Sequence, residues 1–293
     1  MTASLKTTKP LTWLITGCSS GFGLQFTRHA LAAGHHVIAT SRTPTRTPDL
    51  VAEVEAAGGR WITLDVDSPS SGQVLTDLEE SGTHIDVLVN SAGIGMAGPV
   101  ENFSEDEIRG LMETNFFGPY RLMRAILPYM RRRRSGVIVN LSTGSGLEAR
   151  ESLGGYGASK SAIDGITKTL AKEVAPFNVR VLLVYMGSFN TPMATKVSLA
   201  QKPLDPDYKG TMLGKYYEVF RSGTMKANGD HKKAVKAIYE VTVGEGIGIG
   251  KEKEVQLVLG KDCAVRAVEV RDSLDHMMEV FGDVCNNVDI DEE

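Results

Sequence analysis

The segment STGSGLEARESLGGYGASK, residues 142 to 160, gathers side chains that donate and accept protons. Tyr156 precedes Lys160 by four residues, and positions i and i+4 of a helix lie on one face. An ammonium beside a phenol favours the phenolate, so this pair can act as general acid and base near neutral pH. Ser142 and Thr143 come earlier, and one of these hydroxyls can donate a hydrogen bond to a reacting carbonyl oxygen.

A second candidate site is the segment TGCSSGFG, residues 16 to 23. Its glycines, Gly17, Gly21 and Gly23, allow a tight turn and a close approach of the backbone to a phosphate. The helical composition that follows, residues 24 to 33, offers N–H donors and a positive dipole end to the same phosphate. A dinucleotide is the ligand that fits, although such a turn can also serve strand-to-helix geometry alone.

The elements that must position these residues alternate along the chain. Short apolar runs predict strands at residues 11–16, 36–40, 61–64, 87–89, 137–141, 179–184 and 255–259. Helical patterns separate them, the clearest at residues 24–33, 108–130, 156–174 and 264–281. This alternation predicts an α/β fold with a doubly wound, mostly parallel sheet. Ligands of such a sheet lie beyond the carboxyl ends of its strands.

The 293 residues, 42% of them apolar, indicate one domain, which we place at residues 11–285. Residues 1–10 form a flexible amino terminus, and residues 286–293 form an acidic tail that we expect to be disordered. Residues 192–235 break the alternation with prolines, glycines and aromatic residues. A segment of this length is typical of a substrate lid.

The composition argues against several classes of function. A formal net charge of -4 gives no basis for a nucleic-acid surface. The three cysteines, Cys18, Cys263 and Cys285, form neither a C-x-x-C pair nor Cys/His ligand spacing, so no metal site and no disulfide framework are predicted. The polar residues 1–10 lack a secretory apolar stretch, and no stretch approaches the length of a membrane span. We therefore expect a cytoplasmic protein.

Several motifs in one order resemble the short-chain dehydrogenase/reductase family. They are the glycine loop, NSAG at residues 90–93, Asn115, the hydroxyl pair, Tyr156-x-x-x-Lys160 and MGSFNT at residues 186–191. The resemblance covers residues 11 to 192 and implies a Rossmann-like fold. Within the family, the segments LITGCSSGFG, VIATSR and YGASK are most similar to NADP-dependent 17β-hydroxysteroid and retinol dehydrogenase-like ketoreductases.

The resemblance implies catalytic roles. Tyr156 exchanges a proton with the substrate, Lys160 supports it, and Asn115 holds a water that connects the lysine to solvent. The family serine precedes the tyrosine by thirteen residues, which selects Thr143. Ser142 takes this role if the intervening loop holds one residue more. Met186, where the family commonly has proline, is a further departure and bears on loop shape.

The resemblance also implies the cofactor contacts. The end of the second strand reads Ala39, Thr40, Ser41, Arg42, without the acid that binds the ribose of NAD, so NADP(H) is favoured. Arg42 and Ser19 would bind its 2'-phosphate. The predicted cofactor-binding residues are Gly17, Ser19, Ser20, Gly21, Phe22, Gly23, Arg42, Asp65, Val66, Asn90, Ala92, Gly93, Tyr156, Lys160, Gly187 and Thr191.

The implied function is NADPH-dependent reduction of a hydrophobic ketone or aldehyde, or the reverse oxidation. The apolar residues expected near the cofactor, among them Gly95, Met96, Met186 and Phe189, favour such a substrate. Two alternatives remain: a non-redox dehydratase, isomerase or cyclase, and a non-catalytic NADP-binding regulatory protein. The family often pairs through helices that correspond to residues 105–130 and 156–175, which implies a homodimer or homotetramer.

Overall fold

The computed structural model describes residues 9–195 and 197–290. Its strands are β1 (Thr12–Ile15), β2 (His36–Ser41), β3 (Arg60–Thr63), β4 (Val87–Asn90), β5 (Met96–Ala97), β6 (Gly136–Thr143), β7 (Val179–Met186), β8 (Ser198–Leu199) and β9 (Gln256–Leu259). Its α-helices are α1 (Gly21–Ala32), α2 (Pro48–Ala56), α3 (Ser71–Glu80), α4 (Glu105–Met112), α5 (Gly118–Arg133), α6 (Gly144–Leu147), α7 (Gly154–Val174), α8 (Pro192–Thr195), α9 (Met212–Ser222), α10 (His231–Val243) and α11 (Lys261–Cys285).

Seven of these strands form one parallel sheet in the order β3-β2-β1-β4-β6-β7-β9. The chain order reverses between β1 and β4, and a doubly wound sheet opens a ligand crevice at such a point. The predicted fold class, a doubly wound parallel sheet in one Rossmann-like domain, is confirmed. The short strands β5 and β8 pair separately.

Both faces of the sheet are buried. Successive residues of a strand point to opposite faces, so Trp13 and Ile15 of β1 pack in one apolar cluster while Leu14 packs in the other. The central strands β4 and β6 are therefore buried almost throughout, as expected for a sheet covered on both sides. This rigid centre fixes the ends of β4, β6 and β7, where the candidate site residues lie.

Two predicted helices differ from the structure. The single helix expected over residues 108–130 is divided into α4, a π-helical turn at Glu113–Phe117 and α5. A π-helical turn contains one residue more than an α-helical turn, and the buried Asn115 lies in it. The last helix, predicted over residues 264–281, begins earlier, at Lys261, and ends later, at Cys285.

Residues 1–8 and 291–293 lie outside the described residues, as does Lys196, so the predicted flexible terminus and acidic tail are only partly covered. Within the described ranges, no helix is long and apolar enough to cross a bilayer. The same residues contain no group of three or more His, Cys, Asp or Glu side chains that could hold a metal ion. The segment predicted as a lid contains α8, β8 and α9 and leads into α10.

Candidate active site

A cleft of about 370 Å³ opens at the carboxyl ends of the strands. Its walls come from the glycine loop, the ends of β2, β3, β4, β6 and β7, and the first turns of α7. The residues from the predicted site that line it are Gly17, Ser19, Ser20, Gly21, Phe22, Arg42, Asp65, Val66, Ala92, Gly93, Ser142, Thr143, Tyr156, Lys160, Gly187 and Thr191. Segments far apart in the sequence are thus brought to one cavity.

The glycine loop forms one end of the cleft. Gly17 and Gly21 have φ angles of 72° and 56°, which residues other than glycine rarely adopt. A Cβ atom on Gly17 would lie 2.9 Å from the Cα atom of Ala92, so the loop can approach the end of β4 only with glycine there. Ser20 precedes α1 and its side chain does not cap the helix. The first N–H groups of α1 are consequently available to an anion.

Arg42 directly follows β2, the strand that pairs with β1 next to the glycine loop. Its side chain is 67% exposed, and one guanidinium nitrogen lies 3.9 Å from a carboxylate oxygen of Asp67. The neighbouring Ser41 hydroxyl accepts a hydrogen bond from the Trp61 indole at 3.0 Å. The last residue of β2, Ser41, is not acidic. The ion pair between Arg42 and Asp67 is long and solvent-exposed, so it is weak and leaves Arg42 able to turn towards a ligand.

Thr143 lies beside Tyr156. Burial raises the pKa of Tyr156 to about 12, and the Thr143 hydroxyl partly offsets this rise. The sequence-based expectation of a lowered pKa is therefore wrong for this structure. The main cause is burial of the phenol, and the negative charge of Asp164 adds to the rise. The Lys160 ammonium, four residues further along α7, donates a hydrogen bond to the backbone oxygen of Leu141 at 2.9 Å. The phenol is accordingly protonated at neutral pH.

Ser142 faces the other way, towards Asp164. The Asp164 carboxyl is 3% exposed, and burial raises its pKa to about 6, while the nearby Ser142 hydroxyl lowers it in part. The contact falls short of hydrogen-bond geometry, and neither Asp164 oxygen has a hydrogen-bond partner among the described residues. Burial also lowers the pKa of Lys160 to about 8, an effect that the negative charge of Asp164 opposes.

Asn115 links the π-helical turn to both neighbouring segments. Its side-chain amide donates to the Ile94 oxygen at 2.9 Å and to the Ser159 hydroxyl at 3.0 Å, and its oxygen accepts from the Ile94 N–H at 3.0 Å. The amide thus holds Ile94 against α7. None of these hydrogen bonds involves Lys160, so the water of the predicted relay stays a prediction.

The segment after β7 closes the floor of the cleft. The N–H of Gly187 donates to the Leu259 oxygen at 2.8 Å, and Ser188 donates from both its N–H and its hydroxyl to Asp262 of α11. Asp262 and Glu148 also flank Arg266, which is 6% exposed and lines the cleft. Met186, the residue that departs from the family proline, packs in the core and also lines the cleft.

Comparisons with known proteins agree with this architecture. A family model described as short chain dehydrogenase matches residues 12–202, more than half of the chain. The chain belongs to the short-chain dehydrogenase family. It is an oxidoreductase of that family, and the resemblance drawn from the motifs is confirmed.

Among relatives of this short-chain dehydrogenase, retinol dehydrogenase 8 from Bos taurus is 39% identical over 210 residues, which cover 68% of this chain and 67% of that protein. A solved short-chain dehydrogenase from Streptomyces avermitilis is 34% identical, with a TM-score of 0.84, and the match covers 96% of this chain and 100% of that one.

Two further structures share the fold at 20% identity and carry different cofactors. A Sphingobium yanoikuyae enzyme was solved with NADPH, with a TM-score of 0.70 and 97% and 98% of the two chains covered. A Burkholderia phymatum enzyme was solved with NAD, with a TM-score of 0.74 and the same coverage. Family membership therefore leaves the choice between the two cofactors to the residues of this short-chain dehydrogenase.

The cleft of this short-chain dehydrogenase fits a nicotinamide dinucleotide. The positive φ angles of the glycine loop, the uncapped start of α1 and the close passage of Gly17 over Ala92 leave room and donors for a pyrophosphate. Asp65 and Val66 line the cleft after β3, and Gly187 and Thr191 line it after β7. These residues would hold the cofactor along the strand ends.

Three predicted residues do not line the cleft. Gly23 lies beneath the loop, where a Cβ atom would come within 2.4 Å of the Gly17 oxygen. Asn90 points into the sheet and donates to the Asn140 side chain at 2.7 Å, and Asn115 lies behind residues 93–94. They support the cleft wall, and the Asn90 side chain does not point towards the place predicted for the cofactor.

Sequence reasoning missed Asp164 and Arg266. Asp164 continues the helical spacing of Tyr156 and Lys160 by four more residues, a signal that was available. Arg266 comes from α11, more than a hundred residues beyond the last catalytic motif, and nothing in the sequence marks it. Only the return of α11 over α6 brings its side chain to the cleft.

Proposed function

We propose that this oxidoreductase uses NADPH to reduce the carbonyl group of a hydrophobic ketone or aldehyde, or catalyses the reverse oxidation. The observation that carries the proposal is that the Thr143 hydroxyl lies beside the Tyr156 phenol inside a cleft that fits a dinucleotide. A protonated phenol beside a second hydroxyl offers two hydrogen-bond donors to one carbonyl oxygen.

The chain's own residues act on the oxygen of the substrate. Thr143 donates a hydrogen bond that polarises the carbonyl, and Tyr156 transfers its phenolic proton to the oxygen as negative charge develops there. NADPH, when bound, supplies the hydride that reduces the carbonyl carbon. The phenolate left behind regains a proton through Lys160, whose ammonium lies on the same face of α7.

Arg42 supports the choice of NADPH. The end of β2 offers a guanidinium and no carboxylate, and a guanidinium binds a 2'-phosphate through charge-assisted hydrogen bonds. In an Arg42→Ala variant we expect the preference for NADPH over NADH, measured as a kcat/KM ratio, to fall about tenfold or more. Arg46→Ala is the matched control, because Arg46 is exposed nearby but does not line the cleft.

The substrate class rests on the inner wall of the cleft. Apolar side chains that line it beyond the catalytic residues are Ile94, Leu153, Met186, Phe189, Met193, Val197, Phe220 and Met225. The last four belong to the segment 192–235, which supports its proposed role as a substrate lid. The relative named as a retinol dehydrogenase favours a hydrophobic substrate as well. A polyketide, steroid or retinoid carbonyl compound fits this lining.

The test is NADPH oxidation against a panel of apolar ketones and aldehydes, with NADH measured in parallel. Turnover that prefers NADPH and disappears in Tyr156→Phe supports the proposal. Tight NADPH binding without reduction of any carbonyl overturns it and favours a non-redox dehydratase, isomerase or cyclase, or a non-catalytic NADP-binding regulatory protein. If the wild type neither binds NADPH nor reduces any carbonyl, the assignment of the cleft as the cofactor site is contradicted.

We also propose that the enzyme works in a reducing compartment such as the cytoplasm. Cys18 and Cys263 are free and buried, and Cys285 is free and exposed. An exposed free thiol is compatible with a reducing environment. Localisation of a tagged chain by cell fractionation tests this placement.

A further inference from the structure

The outer half of α11 carries an apolar stripe that no other described element covers. Every described residue from 271 to 281 and from 283 to 290 is exposed. The stripe consists of Leu274, Met277, Met278, Phe281 and Val284, and their exposed fractions range from 48% to 61%. A contiguous group of large exposed apolar side chains rimmed by polar residues marks an interaction surface.

The stripe follows a heptad spacing. Intervals of four and three residues alternate along Cys263, Ala267, Val270, Leu274, Met277, Phe281 and Val284. This is the a/d spacing of a coiled coil, which places one continuous seam along a helix. The first three positions are buried or partly buried against the body of the protein, and the remaining four are exposed. One seam is thus half covered by its own chain and half open.

The open half of the helix needs a cover to be stable. A helix in water depends on tertiary packing of its apolar face, and a segment of about 15 residues is marginal by itself. Residues 271–285 protrude without such packing. An external surface that matches a heptad seam is another helix with the same seam, because knobs and holes then fit each other.

The polar side of α11 argues against a lipid surface. It carries Glu269, Asp272, Asp275, Glu279 and Asp283, and Arg271 is the sole Lys or Arg from residue 267 to residue 290. Interfacial helices are typically rich in Lys and Arg, because these residues bind anionic headgroups. An acidic helix would be repelled by such a membrane, so a protein helix is the better occupant.

We propose that a second copy of this chain covers the stripe, with the two α11 helices packed antiparallel. In that arrangement Leu274 of one copy meets Val284 of the other, and Met277 meets Phe281. Arg271 then lies at the carboxyl-terminal end of the second helix, where the helix dipole and Asp283 are negative. A parallel pair would instead bring the two Arg271 residues to the same level, away from that end. This dimer does not depend on the proposed reaction and uses a surface other than α5 and α7.

The first experiment measures the mass of the full chain by size-exclusion chromatography with light scattering. We expect the double variant Leu274→Glu/Phe281→Glu to have half the mass of the wild type. The matched control Val265→Glu/Val268→Glu also removes two exposed apolar residues of α11, but from its opposite side, and should keep the wild-type mass. Circular dichroism and NADPH binding verify that all variants fold.

Cysteine cross-linking then tests the orientation, in a Cys285→Ser background. The antiparallel arrangement predicts that a mixture of Leu274→Cys and Val284→Cys chains forms disulfide-linked dimers, while neither variant alone does so. Cross-linking of each variant with itself would indicate a parallel pair and overturn the arrangement.

Three results would overturn the dimer itself. They are a monomeric wild type up to its solubility limit, an unchanged mass in the Leu274→Glu/Phe281→Glu variant, and stripe-dependent binding of a monomer to phosphatidylcholine and phosphatidylserine vesicles. The last result would assign the surface to lipid.

Discussion

Ser142 and Thr143 are adjacent in β6, yet their hydroxyls have different neighbours. Thr143 lies beside the phenol of Tyr156, whereas Ser142 lies beside the buried carboxyl of Asp164. Consecutive residues of a strand point to opposite sides, so a single hydroxyl of the pair can act together with Tyr156. The geometry favours Thr143, as the spacing of thirteen residues does.

Replacement of Thr143 should therefore affect turnover far more than replacement of Ser142. Removing one donor to a developing oxyanion costs about 10²-fold to 10³-fold in kcat, so we expect a loss of this size in Thr143→Val. Ser142→Ala should keep kcat within about a few-fold of wild type. Steady-state kinetics with a reducible ketone measure both. The reverse order of effects would assign the catalytic hydroxyl to Ser142.

The pH dependence should differ between the two directions of the reaction. With its pKa raised to about 12, Tyr156 is a neutral phenol at neutral pH, the form that donates a proton during reduction. Alcohol oxidation requires the phenolate, whose fraction rises about tenfold per pH unit below the pKa. We expect kcat for oxidation to rise between about pH 6 and pH 8 while kcat for reduction stays nearly constant. Parallel kcat profiles would contradict this role of the phenol.

Asp164 should make the stability of the folded chain depend on pH. Its pKa is raised from 3.8 to about 6, so its stabilising contribution is complete below pH 3.8 and is lost as the pH rises through about 6. Between these values it should lower the free energy of unfolding by roughly 1.4 kcal/mol per pH unit. Asp164→Asn removes the ionisation, and urea unfolding at a series of pH values should show a flatter dependence.

The exposed Asp49→Asn variant controls for loss of a carboxylate at the surface and should keep the wild-type dependence. An equally steep dependence in Asp164→Asn would mean that other groups control stability in this range.

Gly17 should be intolerant of a side chain. In Gly17→Ala the new Cβ atom would meet the backbone of Ala92 at 2.9 Å in a conformation that itself costs about 1 to 2 kcal/mol for alanine. We expect loss of NADPH binding, measured by fluorescence titration, together with a lower free energy of unfolding. Gly34→Ala shares the positive φ but meets nothing within 4 Å, so it should lose stability alone and keep cofactor affinity.

The sequence by itself determined the alternating elements, the parallel sheet and most residues of the cleft. These follow from local rules: apolar runs define strands, glycines define the phosphate turn, and helical spacing places Tyr156 and Lys160 on one face. Because the strands end at one edge of the sheet, motifs after different strands meet there. The order of the motifs was therefore sufficient to predict one site.

The tertiary structure alone decided which atoms face each other. Asn90 and Asn115 carry family motifs, but their amides are used to hold the sheet and residues 93–94. Lys160 donates to Leu141, and burial raises the pKa of Tyr156 where the spacing suggested a lowered one. Arg266 and the open seam of α11 depend on where the last helix returns to the body. Burial and side-chain direction arise from contacts between segments distant in sequence, so a local pattern cannot specify them.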